Sequence, residues 1–242
     1  MAHIEEIKDY WDLRAQGFSD AVDEELATES GREWEAFFKE VIPAGAAVLD
    51  DGMGPGFFST LLAGQGCKVT AIDYSDKMVE QAAKRFKDAG LDVKAMQMDA
   101  QALAFADESF DAVVSRNVIW NLDDPAKAYS EIYRVLKPGG VMVVDDGNMY
   151  LYHHDEEYAK QHDAMLAAHA GKDDGGLHGK HNVGDVDFSV IDHIAEDLPM
   201  SYVRRPQWDF QQLVLLGFRD IRVEIRGGAL PMGFRITAKK RR

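Results

Sequence analysis

The sequence predicts an α/β fold: a mostly parallel sheet of seven strands, with helices on both faces and an antiparallel hairpin at its C-terminal end. Three observations predict it. Between residues 46 and 147 short apolar runs alternate with helical patterns, the rhythm of parallel strands joined by helical crossovers. The first of these runs ends in a glycine-rich turn, Asp50-Asp51-Gly52-Met53-Gly54-Pro55-Gly56. Two late strand-like runs, 219–226 and 234–238, are joined by a short connection holding Gly227, Gly228 and Pro231, which suits antiparallel neighbours.

At 242 residues, 46% of them apolar, the chain fits one domain with a substantial insertion. Residues 1–45 read as an N-terminal helical cap, because Trp11, Phe18, Trp34, Phe37 and Phe38 recur among charged residues in an amphipathic pattern. Residues 46–147 hold the core. Strand 48–50 runs into the glycine turn, and a helix with Phe57, Phe58, Leu61 and Leu62 on one face follows, ended by Gly64 and Gly66. Strand 68–73 comes next, then Ser75 as the N-cap of a helix reaching Gly90. Strands 93–98 and 110–115 follow, and Asp124-Pro125 opens another helix at a position where the missing proline N–H is harmless. The turn Lys137-Pro138-Gly139-Gly140 leads into strand 141–144. Residues 148–206 break the rhythm and hold seven of the eight histidines; so long an interval between strands reads as a substrate lid. Residues 207–242 supply a helix over 208–216 and the last two strands.

A net charge of −15 argues against a nucleic-acid partner, since polyphosphate backbones are bound by basic surfaces. The basic run Lys239-Lys240-Arg241-Arg242 reads as a solvated tail. No run reaches the roughly 18 apolar residues of a membrane-spanning helix, so no membrane insertion is expected. The first residues lack the basic and apolar regions of a signal peptide, and a cytoplasmic protein is the expectation. The single cysteine, Cys67, lies in an apolar run and is expected in the core. A homodimer is compatible with the sequence but not specified by it.

A strand, a glycine turn and a helix form the nucleotide-side pocket of an open parallel sheet, a Rossmann-like arrangement. Gly52 and Gly54 let the backbone approach a ligand with no Cβ in the way. Spacing separates the ligands. A dinucleotide fingerprint, G-x-G-x-x-G, needs glycine at 57 or 59, where Phe57 and Ser59 stand. Asp50 and Asp51 would repel a pyrophosphate, whereas the ammonium group of S-adenosylmethionine (SAM) would gain from a carboxylate. Asp73 closes the second strand 21 positions after Gly52 and can accept hydrogen bonds from both ribose hydroxyls. Asp99 follows the third strand beside Ala100 and Gln101, where an adenine would be met. Singly, each acid reads equally well as a turn residue or helix cap. Three acids after three successive strands, together with the glycines, do not.

These motifs resemble the class I SAM-dependent methyltransferases, in particular the ubiquinone/menaquinone-type small-molecule branch, over residues 48–144. Val48 to Phe57 looks like the family's first motif, Phe110 to Asn117 like its fourth-strand motif, and Arg134 to Gly140 like the turn before strand five. The resemblance implies methyl transfer from SAM to a small-molecule substrate. It places Asp50, Gly52 and Gly54, with Gly56 completing the motif, around the methionine portion. Asp73 would hold the ribose, Tyr74 and Met78 would flank the adenine, and Asp99 and Ala100 would meet its amino edge. Arg116 and Asn117 would line the methionine end. The run from Tyr10 to Ala15 is similar to a capping helix of relatives, with Tyr10 and Arg14 closing over SAM. Met53 and Asp51 depart from the usual small or apolar residues and alter the pocket floor.

Methyl transfer is an in-line displacement at a sulfonium carbon, so alignment and exclusion of water matter more than acid–base chemistry. Trp11, Trp120, Asp146 and Tyr150 are the candidates for substrate contact, the two tryptophans reading equally as core. His153 and His154 are the candidates for a general base, where the acceptor must lose a proton. His162, His169, His178 and His181 sit near Asp155, Asp163, Asp173 and Asp174, but no HExxH pair occurs and no metal is assigned. Two other readings stay open: a non-catalytic SAM-fold binding or regulatory module, and a nicotinamide-dependent oxidoreductase, which Phe57 disfavours. Gly54→Val is expected to block SAM binding by filling the methionine site with a branched side chain; unchanged affinity by calorimetry would refute that placement.

Overall fold

The computed structural model describes residues 3–169, 183, 186–226 and 230–242. The polar stretch 171–184 apart from Val183, with His178, His181, Asp173 and Asp174, lies outside them, as do Gly227 and Gly228. In chain order the elements are α1 (Ile4–Ala27), α2 (Glu29–Val41), β1 (Ala47–Asp51), α3 (Phe57–Gly64), β2 (Lys68–Asp73), α4 (Asp76–Asp88), β3 (Val93–Gln97) and β4 (Phe110–Arg116). There follow α5 (Pro125–Val135), β5 (Leu136–Gly147), α6 (Glu156–His169), α7 (Ser189–Glu196), α8 (Gln207–Leu216), β6 (Arg219–Arg226) and β7 (Gly233–Lys239).

The seven strands form one sheet in the order β3-β2-β1-β4-β5-β7-β6. β1 to β5 are parallel, and β7 lies antiparallel between β5 and β6. Side chains alternate along each strand, so a sheet covered on both faces needs apolar residues on both. Val48, Val69, Ala71, Val114 and Val143 point to a layer filled by Phe38 of α2, Phe58 and Leu62 of α3, and Phe86 of α4. Leu49, Ile72, Val113, Met142 and Val144 point the other way, onto Tyr129 and Ile132 of α5 and Leu213 of α8. Cys67 is buried in the first layer, where its apolar run led us to expect it.

Three local differences have physical reasons. The N-terminal helical segment is two helices, because Thr28 is extended and turns the chain, so α2 packs on α3 while α1 lies along α4. The turn 137–140 lies inside β5 as a bulge: Phe110 pairs with Leu136, then Ala112 with Val141. The basic tail is partly docked, since the Lys240 amine donates to the Leu136 carbonyl at 2.7 Å. Ser75 caps α4 as its position suggests, accepting the Met78 N–H at 3.0 Å. The same hydroxyl donates to Asp12 of α1 at 2.5 Å, and Lys8 bridges Asp12 and Asp76 at 2.6 Å each, so α1 is fastened to the start of α4.

The segment between β5 and α8 is pinned where it leaves and re-enters the core. Asn148 accepts the Arg205 N–H at 2.9 Å and donates to the Arg205 carbonyl at 2.8 Å. The Arg205 side chain is fully buried, clamped by Asp209 of α8 at 2.6 Å and by Asp146 of β5 at 3.2 Å, over the ring of Phe234. Tyr129 of α5 donates to Asp209 at 2.6 Å. Among the described residues Arg205 is the cation that bridges these two carboxylates, and removing it would leave both buried without a counter-charge. Arg205→Ala is therefore expected to cost about 3–5 kcal/mol of stability, read from urea unfolding, and a loss below about 1 kcal/mol would show the cluster to be dispensable.

Candidate functional site

β1 and β4 are adjacent while their connections run to opposite sides, so a crevice opens at the C-terminal ends of these strands. The glycine turn forms its floor, with positive φ at Gly52 (75°), Gly54 (52°) and Gly56 (94°). A Cβ on Gly52 would lie 2.2 Å from the Val118 side chain, and one on Gly56 would lie 2.7 Å from the ring of Phe86. Both glycines are thus demanded by packing as well as by backbone conformation. The turn's own N–H groups are already used. Those of Gly52 and Met53 donate to the Ile72 carbonyl at 2.9 and 2.8 Å, that of Gly54 to Asp73 at 2.8 Å, and that of Gly56 to Met53 at 2.9 Å.

Above the turn lies a cavity of about 770 Å³, walled by α1, the ends of β1 to β5 and described residues of the 148–206 segment. Tyr10, Trp11, Arg14, Gly52, Gly54, Asp73, Tyr74, Met78, Asp99, Ala100, Arg116, Asn117, Trp120 and Tyr150 all line it. Asp50 and Gly56 do not. Asp50 lines a cavity of about 70 Å³ behind the turn and accepts the Ser59 hydroxyl at 2.6 Å, while Gly56 sits beneath α3. Asp146 is also turned away, held by Arg205 and by the Gly147 and Trp120 N–H groups. His153 and His154 lie off the cavity wall: His153 is 3.3 Å from Asp192, and His154 is exposed, stacked on Tyr202 with Nε2 2.8 Å from the Glu196 carbonyl oxygen. The histidine on the wall is His162, its ring stacked on Tyr152 at 3.9 Å.

The walls differ in chemistry. On the side of β1 to β3 they are acidic. Asp73 accepts the N–H groups of Gly54 and Ser75 at 2.8 and 2.9 Å, yet burial pushes its pKa up to about 6. Burial likewise raises Asp50 to about 7, and Asp51, with acidic neighbours adding to the effect, to about 8. Asp99 accepts both the N–H and the amide nitrogen of Gln101, at 2.8 and 3.1 Å. Arg116 forms a bidentate pair with Glu25 of α1 at 2.8 and 2.9 Å and lies over the ring of Phe57. The opposite wall is mostly apolar and aromatic, with Trp11, Trp120, Tyr150, Met165 and Phe188; the Tyr150 ring is tilted against that of Trp120, centroids 5.0 Å apart. Among the described residues, no group of three or more His, Cys, Asp or Glu is arranged to hold a metal.

Several wall residues escape the sequence criteria. Phe18 continues the α1 stripe Ile7, Tyr10, Trp11, Arg14 at steps of three and four, a signal present in the sequence. Asp51, expected at the pocket floor, does line the cavity, since strand alternation points it opposite to Asp50. Tyr152, His162 and the pair Phe188 and Asp192, four apart at the start of α7, come from separate parts of the 148–206 segment, and no spacing rule relates the three parts.

The parallel sheet, the crevice and its acid-lined glycine turn form a Rossmann-like ligand site. Residues 49–144 match the family described as a methyltransferase domain. The chain is similar to the ubiquinone/menaquinone biosynthesis C-methyltransferase UbiE of Desulfotalea psychrophila, 35% identical over 134 residues, 54% of each chain. A demethylmenaquinone methyltransferase of Clavibacter sepedonicus is 42% identical over 102 residues, 42% of this chain and 41% of that one. The chain spans about half the length of the curated relatives it matches. Among solved structures, a SAM-dependent methyltransferase from Aquifex aeolicus shares the fold at a TM-score of 0.59 and 20% identity, over 92% of this chain and 98% of its own. Phosphoethanolamine N-methyltransferase 2 of Haemonchus contortus, solved with SAM, does so at 0.61 and 20%, over 87% of this chain and 53% of its own.

Asp50, Asp51 and Asp73 bind protons more tightly in the folded protein than in the unfolded chain, so stability falls as pH rises from about 4 to about 8. The ligand-free Tm is expected to drop between pH about 6 and about 8.5, and Asp51→Asn to lessen the drop. Thermal unfolding across that range tests this; an identical slope in the variant would refute it.

Proposed function

We propose that this protein transfers a methyl group from SAM to a small, largely apolar acceptor. SAM would supply an electrophilic methyl group carried on a cationic sulfur. The observation that supports the reading is one cavity that joins an acidic wall to an aromatic one across a glycine turn without free amides. Such a turn offers a pyrophosphate neither N–H donors nor favourable charge, which speaks against a nicotinamide dinucleotide. The donor set fits SAM: Asp73 accepts the ribose hydroxyls, Asp99 and Ala100 meet the adenine edge, and Tyr74 and Met78 flank the ring. Arg14, Arg116 and Asn117 hold the methionine end, Tyr10 closes over it, and Asp50 and Gly56 shape the turn from behind.

Trp11, Trp120 and Tyr150, with Phe188, form the acceptor's walls in this reading, and the 148–206 segment is its lid. His162 is better placed than His153 or His154 to take a proton, because it alone of the three lines the cavity. Asp146 belongs to the framework. The net charge of −15 disfavours a nucleic-acid acceptor, and cytoplasmic action is part of the same proposal. No described helix is long and apolar enough to cross a membrane. A homodimer is not required, since one chain supplies all the walls described.

Relatives named for demethylmenaquinone and phosphatidylethanolamine methylation suggest the first acceptors to try, a demethylated quinol and an ethanolamine lipid. Calorimetry should show binding of SAM and not of NAD, and labelled SAM with an acceptor panel should release S-adenosylhomocysteine (SAH). Binding without turnover on any acceptor would favour the non-catalytic module. Asp73→Asn is expected to weaken SAM binding by about 1.5–3 kcal/mol, the range for hydrogen bonds to a charged group; undiminished affinity would remove Asp73 from the site.

A further inference from the structure

Asp51 lines the cavity, is fully buried, and neither of its carboxyl oxygens has a hydrogen-bond partner among the described residues. Its surroundings aggravate the cost. The charged groups that act on it most strongly are Asp50 beside it on β1, Asp99 after β3, Asp73 on β2 and Glu131 on α5, all acidic. The cationic side chains of the cavity wall are directed elsewhere: Lys8 to Asp12 and Asp76, Arg116 to Glu25 and Asp145, and Arg14 over the ring of Phe188. Asp51 shares its face of β1 with Leu49, so an apolar side chain would suit the site far better than a solitary carboxyl group. What the protein withholds from Asp51 is positive charge, and the cavity is where a ligand can bring it.

We propose that Asp51 recognises the positive charge of the methyl donor and so distinguishes the cationic sulfonium from the neutral thioether left after transfer. The inference rests on the SAM-binding reading above. In the ligand-free protein, burial and the acidic neighbours keep Asp51 protonated at neutral pH, its pKa pushed up to about 8. When the donor binds, Asp51 releases that proton to solvent and becomes the carboxylate that faces the new charge. When the methyl group has left, the charge is gone, and Asp51 takes a proton back from solvent. The site is thereby matched to the donor and mismatched to the product. A unit charge near the carboxylate, even at an effective dielectric of about 20, gives a preference of about tenfold or more.

Calorimetry of the whole chain with SAM and with SAH, in buffers of different ionisation heat, reads both affinities and the protons exchanged. At pH about 7 close to one proton more should leave with SAM than with SAH, and the preference for SAM should grow from pH about 6 to about 9. Any pH dependence common to both ligands belongs to Asp50 and Asp73. Asp51→Asn should abolish the proton release and cut the preference about tenfold, through SAM alone. Asp51→Glu, which keeps the charge, should retain proton release and serves if the amide variant fails to fold. Equal weakening of SAM and SAH would place Asp51 against the nucleoside they share and overturn the proposal, as would SAM-specific proton release that survives in Asp51→Asn. If the wild-type chain bound neither ligand, the SAM-binding reading itself would fail, and this assignment with it.

Discussion

The rest of this structure answers one constraint: parallel strands carry aspartates at their C-terminal ends into a region that excludes water. Asp50 and Asp51 end β1, Asp73 ends β2, and Asp145 and Asp146 lie near the end of β5; burial raises the pKa of all five. Each must be compensated or left protonated. The first turn of α3 compensates Asp50 through Ser59, and the glycine turn compensates Asp73 through the Gly54 amide. Arg226 and Arg116 serve Asp145, and the fully buried Arg205 serves Asp146. Helix placement, turn geometry and the return of the long segment between β5 and α8 are all bound up in these pairings.

That view explains how much of the molecule was legible in its sequence. The sheet was legible because strand periodicity and helix caps act within a few residues: Ser75 caps α4, and Asp124 caps α5 by accepting the Lys127 N–H. The acidic wall was legible for the same reason, since Asp73 ends and Asp99 follows a strand whose end can be counted from the glycine turn. Asp50 shows the limit of counting. Its neighbour Asp51 is the one that reaches the large cavity, and strand alternation decides between them only once the packed faces are known.

Beyond Gly147 the local rules stop working. Asp146 follows the fifth strand as an acid at the cavity should, yet its partner Arg205 arrives from 59 residues further along the chain and turns it into framework. The histidines illustrate the same point. His153 and His154 are nearest in sequence to the strand end, but the turn they occupy aims them at Asp192 and Tyr202, and it is His162, a helix later, that faces inward. Chain proximity is a poor guide where a long connection folds back on itself, because its side chains are sorted by tertiary packing.

The glycine turn shows how one motif can carry two meanings. In a phosphate-binding turn, glycines expose backbone amides to the ligand. Here the amides from Gly52 to Gly56 are directed to Ile72, Asp73 and Met53, and the glycines are needed so that Val118 and Phe86 can pack against the backbone. The turn therefore contributes shape, while the charge facing the ligand comes from carboxylates. Phosphate is disfavoured on both counts, and a cationic ligand is favoured. The same arithmetic makes an uncompensated acid tolerable at Asp51, since its stabilising partner need not be part of the chain.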